Sequence, residues 1–154
     1  MSKTTVTKSN EMSPDELDRF LWGKNVACLG TVRADGSAHV TPMWYIWDEG
    51  KIKIILGTTR LHTKNIRRDP RATVCIDEDP RPRNAFALGA QGAVCRGRVE
   101  LTQDPAVLQT NYRRFERSLE FEHDADYHAA RESEERVLAL ITPEHWLSWD
   151  FTKA

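Results

Sequence analysis

The sequence has few cysteines and no spacing that would join them into a framework. Cys28, Cys75 and Cys95 each lie within an apolar, strand-like run, and no two of them form a C-x-x-C motif. An odd number without that spacing argues against both a disulfide scaffold and a zinc site. We therefore expect all three to be small buried hydrophobic residues.

Long apolar runs and an excess of one charge are also missing. No run approaches the roughly 20 residues of a membrane-spanning helix, and the N-terminus shows no hydrophobic signal core. The 154 residues carry 22 basic and 23 acidic side chains, for a net charge of −1. That balance argues against general binding to nucleic acids or membrane surfaces. The expected class is a soluble, cytoplasmic protein.

Several motifs that carry chemistry are absent. The sequence contains no Gly-x-Ser-x-Gly, no Gly-Lys-Ser/Thr and no Gly-x-Gly-x-x-Gly, so hydrolase, P-loop and Rossmann functions lack support. His123, Asp124, Asp126 and His128 form an acidic and imidazole-rich cluster. Its spacing matches no known zinc or iron helix motif, so we interpret it as a charged surface segment and predict no metal site.

The chain length matches one domain, predicted over residues 13–154 after a polar, flexible tail of residues 1–12. A capping box formed by Ser13 and Glu16, with Pro14 in the first turn, predicts a helix that runs to about Gly23. A short helix is predicted around residues 65–67, and another after Asp104. The segment 117–135 is predicted to be helix broken by a loop, and 77–90 a loop.

Six or seven strands are predicted. The first two are joined by an Asp-Gly hairpin turn at residues 34–37, and two glycines inside the strand over residues 91–102 predict a bend or a bulge. Helices are inserted between hairpins rather than after each strand, which is typical of an antiparallel β-barrel with peripheral helices. The predicted strands cover residues 25–33, 39–47, 51–56, 71–76, 91–102, 136–142 and 145–151.

A basic segment over residues 57–70 is the most informative part of the sequence. The hydroxyls of Thr58 and Thr59 precede Arg60, His62 and Lys64 at alternate positions. Unpaired N–H groups at a helix N-terminus attract anions, and cationic side chains add charge-assisted hydrogen bonds. An extended backbone would place the three basic side chains on one side, whereas a helix would pair positions 60 and 64. We predict a phosphate site here; a solvated basic helix is the alternative.

A second candidate segment comprises Thr41, Pro42, Met43 and Trp44. Proline cannot donate to a ladder, so this strand is expected to lie at an edge or to be interrupted. An interrupted ladder leaves backbone groups free to bond the polar edge of a flat heterocycle. The alternative is an ordinary aromatic-rich core strand. We expect the neighbouring His39 to be a surface cross-strand residue.

Together these segments resemble the split β-barrel family of pyridoxamine 5'-phosphate oxidase-like flavoproteins, especially its actinobacterial flavin/deazaflavin oxidoreductase branch. The most specific matches are residues 41–45, similar to the family's second strand, and residues 65–71, which follow its Asn-Leu-Arg-Arg-Asp-Pro-Arg signature. Residues 29–37, 92–100 and 147–149 add weaker matches. The resemblance implies a split β-barrel homodimer with a cofactor groove between the subunits, an arrangement that the tryptophan content also suits.

The resemblance also assigns roles to residues. Arg60 stands where a phosphate-binding arginine is usual, and residues 41–44 would face the cofactor ring. His62 stands where this branch typically carries lysine, which is a departure from the family pattern. Lys64 would supply the cationic side chain in place of that lysine.

The resemblance implies an oxidoreductase whose hydride chemistry belongs to the cofactor, so no dedicated catalytic acid or base is expected. Deazaflavin F-420 is the first expectation for the cofactor and FMN the second, with a small electron-poor organic acceptor as substrate. Segments 77–90 and 117–135 would form the acceptor pocket. Oxidation of pyridoxamine phosphate itself is not expected, because the characteristic C-terminal substrate segment is missing. A non-catalytic flavin or haem binder, and a barrel without cofactor, remain alternatives.

Overall fold

Four helices and seven strands make up the computed structural model, which describes residues 10–23, 25–78 and 91–153. All strand pairs are antiparallel and form one sheet in the order β2-β1-β5-β6-β7-β4-β3. The predicted antiparallel barrel with peripheral helices is confirmed. The elements are α1 (Pro14–Trp22), β1 (Val26–Val32), β2 (Ala38–Trp44), β3 (Ile46–Asp48), β4 (Lys51–Gly57), α2 (Leu61–Arg68), β5 (Arg71–Glu78), β6 (Gln91–Thr102), α3 (Pro105–Leu119), α4 (Ala125–Glu132) and β7 (Arg136–Asp150), followed by a 3-10 turn (Phe151–Lys153).

Local signals set the ends of several elements. The predicted capping box of α1 is present: the Ser13 N–H donates to Glu16 Oε2 over 2.7 Å, and the Glu16 N–H donates to Ser13 Oγ over 3.3 Å. Asp104 caps α3 by accepting from the N–H groups of residues 106 and 107. Gly36, with φ of 85°, supplies the left-handed turn residue between β1 and β2.

The sheet curls because its two edge strands are neighbours in sequence. β2 and β3 lie at opposite edges, and Tyr45 alone separates them. Its side chain is fully buried, and its hydroxyl donates to the Leu21 carbonyl over 2.8 Å. We predicted one strand over residues 39–47. That prediction was wrong because the chain leaves one edge and joins the other at Tyr45.

A seam without hydrogen-bonded strand pairing results from this path. β3 pairs with residues 51–53 of β4, so residues 54–57 have β7 on one side and no strand on the other within the described part of the chain. β2 likewise pairs with β1 alone among the described strands. The second half of β4 and the edge strand β2 therefore flank an opening in the barrel.

β6 and β7 form the longest ladder of the sheet, with 12 residue pairs. A register shift between Arg96 and Gly97 confirms the predicted bulge. A Cβ on Gly97 would lie 2.2 Å from the Thr142 carbonyl oxygen, so the backbones approach too closely for a side chain. We predicted two strands separated near Pro143. β7 is instead continuous, because the bulge accommodates the proline opposite Gly97.

Fully buried apolar side chains, such as Leu29, Ile54 and Ile141, fill the barrel. The packed region begins before residue 13: Met12 is buried, and the Asn10 carbonyl accepts from the Asp150 N–H over 2.7 Å. Only residues 10–12 of the predicted tail are described. They are packed, and the rest of the tail and most of the predicted 77–90 loop lie outside the described residues.

Burial separates the three cysteines. Cys95 is buried as predicted, but Cys28 and Cys75 are half-buried on the outer face of the sheet, so the prediction for these two was wrong. Side chains alternate between the two faces along a strand. This alternation places Cys95 on the inner face and Cys28 and Cys75 on the outer face. None of the described helices is long and apolar enough to cross a membrane.

Candidate cofactor site

The turn between β4 and α2 closes one end of the seam. A Cβ on Gly57 would lie 2.2 Å from the Glu134 carboxylate and 2.9 Å from Arg60 Cγ, so a side chain here would displace both groups. The buried Thr63 hydroxyl donates to the Gly57 carbonyl over 2.7 Å. The Thr58 N–H donates to the Glu135 carbonyl over 2.9 Å. Glycine and two hydroxyl residues thus hold the helix start against the sheet.

The N-terminus of α2 has the properties of an anion site. Arg60 is the N-cap residue in extended conformation, no side chain caps the helix, and its first turn contains no acidic residue. The first-turn N–H groups of a helix have no acceptor inside the helix and carry partial positive charge. Without a side-chain cap, those of residues 61–63 are available to an external anion.

Arg60 and Lys64 lie one turn apart at this helix start, with the Lys64 N–H donating to the Arg60 carbonyl over 3.0 Å. Both are exposed, as is Thr59, whereas Thr58 is buried. The Arg60 guanidinium binds the Glu134 carboxylate, with Nη2 2.7 Å from Oε1 and Nε 3.2 Å from both oxygens. This hydrogen bonding lowers the pKa of Glu134. An intramolecular carboxylate therefore occupies the guanidinium face that a phosphate would use.

His62 does not converge with Arg60 and Lys64. It is 8% exposed, and its ring lies nearly parallel to that of His39, with centroids 6.5 Å apart. Burial lowers the pKa of His62, and the nearby His39 and Arg60 add to the effect. The structure adopts the helical arrangement, which pairs positions 60 and 64 and turns position 62 inward. His62 is therefore a neutral imidazole that faces β2, and its buried Nε2 has no hydrogen-bond partner among the described residues.

The β2 side of the seam carries polar groups. His39 Nδ1 lies 3.4 Å from the Arg33 guanidinium, and its Nε2 lies 3.0 Å from Thr41 Oγ1. Because the guanidinium can only donate, Nδ1 accepts and Nε2 carries the hydrogen that is donated to Thr41. His39 is a cross-strand residue opposite Thr31, as predicted, and it is half-buried beside Arg33 and Thr41.

The predicted ring-facing residues divide between two faces of β2. Thr41 and Met43 are half-buried on the same side as His39, whereas Pro42 is exposed on the opposite side. The edge position inferred from Pro42 is confirmed. Trp44 is half-exposed and packs on Phe121, with ring centroids 4.9 Å apart.

An apolar cavity of about 240 Å³ opens at the other end of the seam. Arg131 covers one of its walls, 4.0 Å from the Tyr112 ring centroid, and pairs with Glu116 over 2.6 Å. α4, within the segment 117–135, lines this cavity through Tyr127, Ala130 and Arg131, and its role as an acceptor pocket stays a prediction. The apolar lining residues are Met43, Trp44, Ile55, Tyr112, Phe115, Tyr127 and Ala130.

Arg136 connects the two ends of the seam. It lines the apolar cavity, pairs with Gly57 in the β4–β7 ladder and lies 3.4 Å from Glu134. Sequence reasoning missed Arg136, Glu134 and the aromatic residues of α3, because each is distant in sequence from residues 57–64. The acidic pair at residues 134–135, directly before a strand, was the one available signal.

The cluster at residues 123–128 has a structural role. Asp124 caps α4 by accepting from the Tyr127 N–H over 2.9 Å, and His128 lies within 3.2 Å of the Glu122 carbonyl.

The residues present fit a cofactor with an anionic tail and a flat ring. The uncapped helix start suits the anion, the buried Nε2 of His62 lacks a partner, and the cavity walls are aromatic. An edge strand between these ends presents backbone groups to a polar ring edge.

Comparison with known proteins identifies the family and the fold. The pyridoxamine 5'-phosphate oxidase family model matches residues 13–150. A conserved hypothetical protein from Mycobacterium tuberculosis is 22% identical, with a TM-score of 0.82, over 97% of this chain and 92% of its own. A protein described as an F420 reductase is 23% identical, with a TM-score of 0.64, over 84% and 94%. The haem storage protein HutZ from Vibrio cholerae is 14% identical, with a TM-score of 0.65, over 89% and 94%. Since the family model spans nearly the whole chain, the protein belongs to the pyridoxamine 5'-phosphate oxidase-like split β-barrel family, as its sequence predicted.

Proposed function

We propose that this protein binds a phosphorylated flavin-type cofactor in the seam and uses it to reduce a small electron-poor organic acceptor. Deazaflavin F-420 is the first choice of cofactor and FMN the second. The observation that carries the proposal is the connection of an uncapped basic helix start to an aromatic cavity through Glu134 and Arg136. The similarity to an F420 reductase supports it.

Each part of the seam has a role in this proposal. Arg60, Lys64 and the first-turn N–H groups of α2 would hold the phosphate, with Thr59 beside them. Thr41 and the backbone of β2 would bond the polar edge of the ring, and Met43 and Trp44 would pack against its faces. When bound, the cofactor supplies the hydride chemistry, while the protein orients the ring and excludes water.

We also propose a homodimer. Trp44 and Val26 are directly opposite each other in the β1–β2 ladder, and each is 51% exposed. An exposed cross-strand pair of large apolar residues is a feature of interaction surfaces. A second copy packed here would extend the apolar wall of the cavity beside Trp44.

The test is a fluorescence titration of the apo-protein with oxidised F-420 and with FMN. Arg60→Ala should weaken binding by about ten- to a hundredfold and Lys64→Ala by a similar or smaller factor, the range of charge-assisted hydrogen bonds. Arg98→Ala is the matched control. Arg98 is 62% exposed in its side chain and pairs with Glu144, much as Arg60 is 61% exposed and pairs with Glu134, but it lies on β6. Equal affinity in all three variants would contradict the proposed phosphate site.

A non-catalytic binder is the second candidate, and the similarity to a haem storage protein favours it. The seam lacks a cationic residue at position 62, because the pKa of His62 is lowered. Turnover separates the candidates. An enzyme loaded with reduced cofactor would oxidise it faster when a quinone is added, whereas a binder would show the same rate with and without the quinone.

A further inference from the structure

Two cysteines lie opposite each other on neighbouring strands, away from the seam. Cys28 of β1 and Cys75 of β5 are direct partners in an antiparallel ladder. Directly opposed residues have Cα atoms about 4.5–5.5 Å apart, and their side chains project from the same face. Disulfides form at Cα separations of about 4.4–6.8 Å. The register therefore places both thiols on one face of the sheet, at a Cα separation that a disulfide can span.

Both thiols face one groove. Cys28 and Cys75 are half-buried and line an open groove of about 800 Å³ on the outer face of the sheet. Cys95 differs from both in orientation and in burial, although burial raises the pKa of Cys75 as well. Cys95 pairs with Val74, one position away from Cys75, so it faces the core and is buried, and burial raises its pKa to about 12. The chain thus contains a half-buried pair and a buried internal control.

A disulfide between Cys28 and Cys75 would join two strands that share few residue pairs. The β1–β5 ladder contains three residue pairs, against seven for β1–β2. It nevertheless joins the β1–β2 hairpin to the rest of the sheet. A covalent bond between these strands would hold the hairpin at the position where it has the fewest hydrogen-bonded partners.

We propose that Cys28 and Cys75 are a site of reversible oxidation that forms an intramolecular cross-strand disulfide with a hydroperoxide as oxidant. One thiolate attacks a peroxide oxygen, the O–O bond breaks, and hydroxide leaves to give a sulfenic acid. The second thiol attacks that sulfur, the S–O bond breaks, and water leaves. In total the two thiols lose two electrons and two protons, and hydrogen peroxide is reduced to two waters. A dithiol reductant reverses the bond by exchange. The proposal does not depend on the proposed cofactor.

The test treats the purified full-length protein with hydrogen peroxide, blocks remaining thiols and maps peptides by mass spectrometry without reduction. The expected result is a mass lower by about 2 Da, the two hydrogens lost, and a Cys28–Cys75 linked peptide that dithiothreitol removes. Cys28→Ser and Cys75→Ser should each abolish the link, and Cys95→Ser should leave it intact. A link that includes Cys95, a disulfide between two chains, or oxidation of single thiols to sulfinic acid would each overturn the proposal.

Discussion

The β6–β7 ladder and the seam between β2 and β4 belong to one sheet but differ in strand pairing and in the polarity of their inward side chains. The ladder has 12 residue pairs, and its inward side chains, among them Cys95, Val99 and Ile141, are buried. The seam has no described strand pairing between its two borders, and its inward side chains include His39, Thr41 and His62. Where the backbones of two strands are fully paired, the inward side chains are apolar. Where a strand edge has no described partner, polar side chains face inward.

This contrast shows how a small barrel can hold a polar ligand without loss of its core. The hydrogen bonds that a ladder would use are missing at one seam, so a ligand can take their place. Three predictions test the division, in order of decreasing effect.

Ile141→Ala should lower the free energy of unfolding by about 2–5 kcal/mol, because it leaves a cavity in a fully buried site. Ile141 pairs with Val99 of β6 and with Ile52 of β4, so it lies where the ladder supports the seam. Urea denaturation measures the change. Leu147→Ala, on the same strand but 51% exposed, is the control and should change stability by less than about 0.5 kcal/mol. Equal effects would show that the ladder is not the stabilising region.

Glu134→Gln should tighten binding of a phosphate-bearing cofactor by roughly two- to fivefold, the scale of an exposed ion pair. The carboxylate competes with phosphate for Arg60, and the neutral amide competes less. The same fluorescence titration measures the change. Glu144→Gln, which removes the carboxylate that pairs with Arg98, should leave the affinity unchanged. Weaker binding in the Glu134 variant would mean that this carboxylate supports the site.

Acidification should destabilise the seam through His62. Because the folded-state pKa of His62 is lowered, the unfolded chain binds more protons below the ordinary value of about 6.5. Stability should therefore decrease as the pH falls from 6.5 towards the folded-state pKa. Urea denaturation midpoints at pH 7.5 and pH 5.5 measure this loss of stability. The loss should be smaller in His62→Leu. In His145→Leu it should equal the loss in the unmodified protein, because His145 is exposed. The same loss in all three proteins would assign the effect to groups other than His62.

Local signals allowed most of the fold to be predicted. The Ser13–Glu16 capping box, the Asp-Gly hairpin and the bounds of β6 each depend on residues close in sequence, and all are confirmed. The division at Tyr45 and the continuity of β7 through Pro143 were not predictable in this way. Both follow from pairing between distant strands.

Only part of the candidate site was predicted, because the rest also depends on contacts between residues that are distant in sequence. The position of Arg60 and Lys64 at a helix start follows from the local pattern. The inward turn of His62 and the pairing of Arg60 with Glu134 depend on which face of α2 packs against the sheet. A sequence pattern in one short helix does not contain that information.

The pairing of β4 with β7 has a consequence for the order of assembly. Residues 54–57 of β4 have only β7 as a strand neighbour in the described chain, and β7 follows all the other described strands in sequence. The β1–β2 hairpin can close locally, but β4–β7 contacts span most of the chain and are slow to form. A nascent chain that lacks β7 has no described strand to pair with residues 54–57, which form one border of the opening. A ligand that needs this border can therefore bind only after synthesis has passed β7.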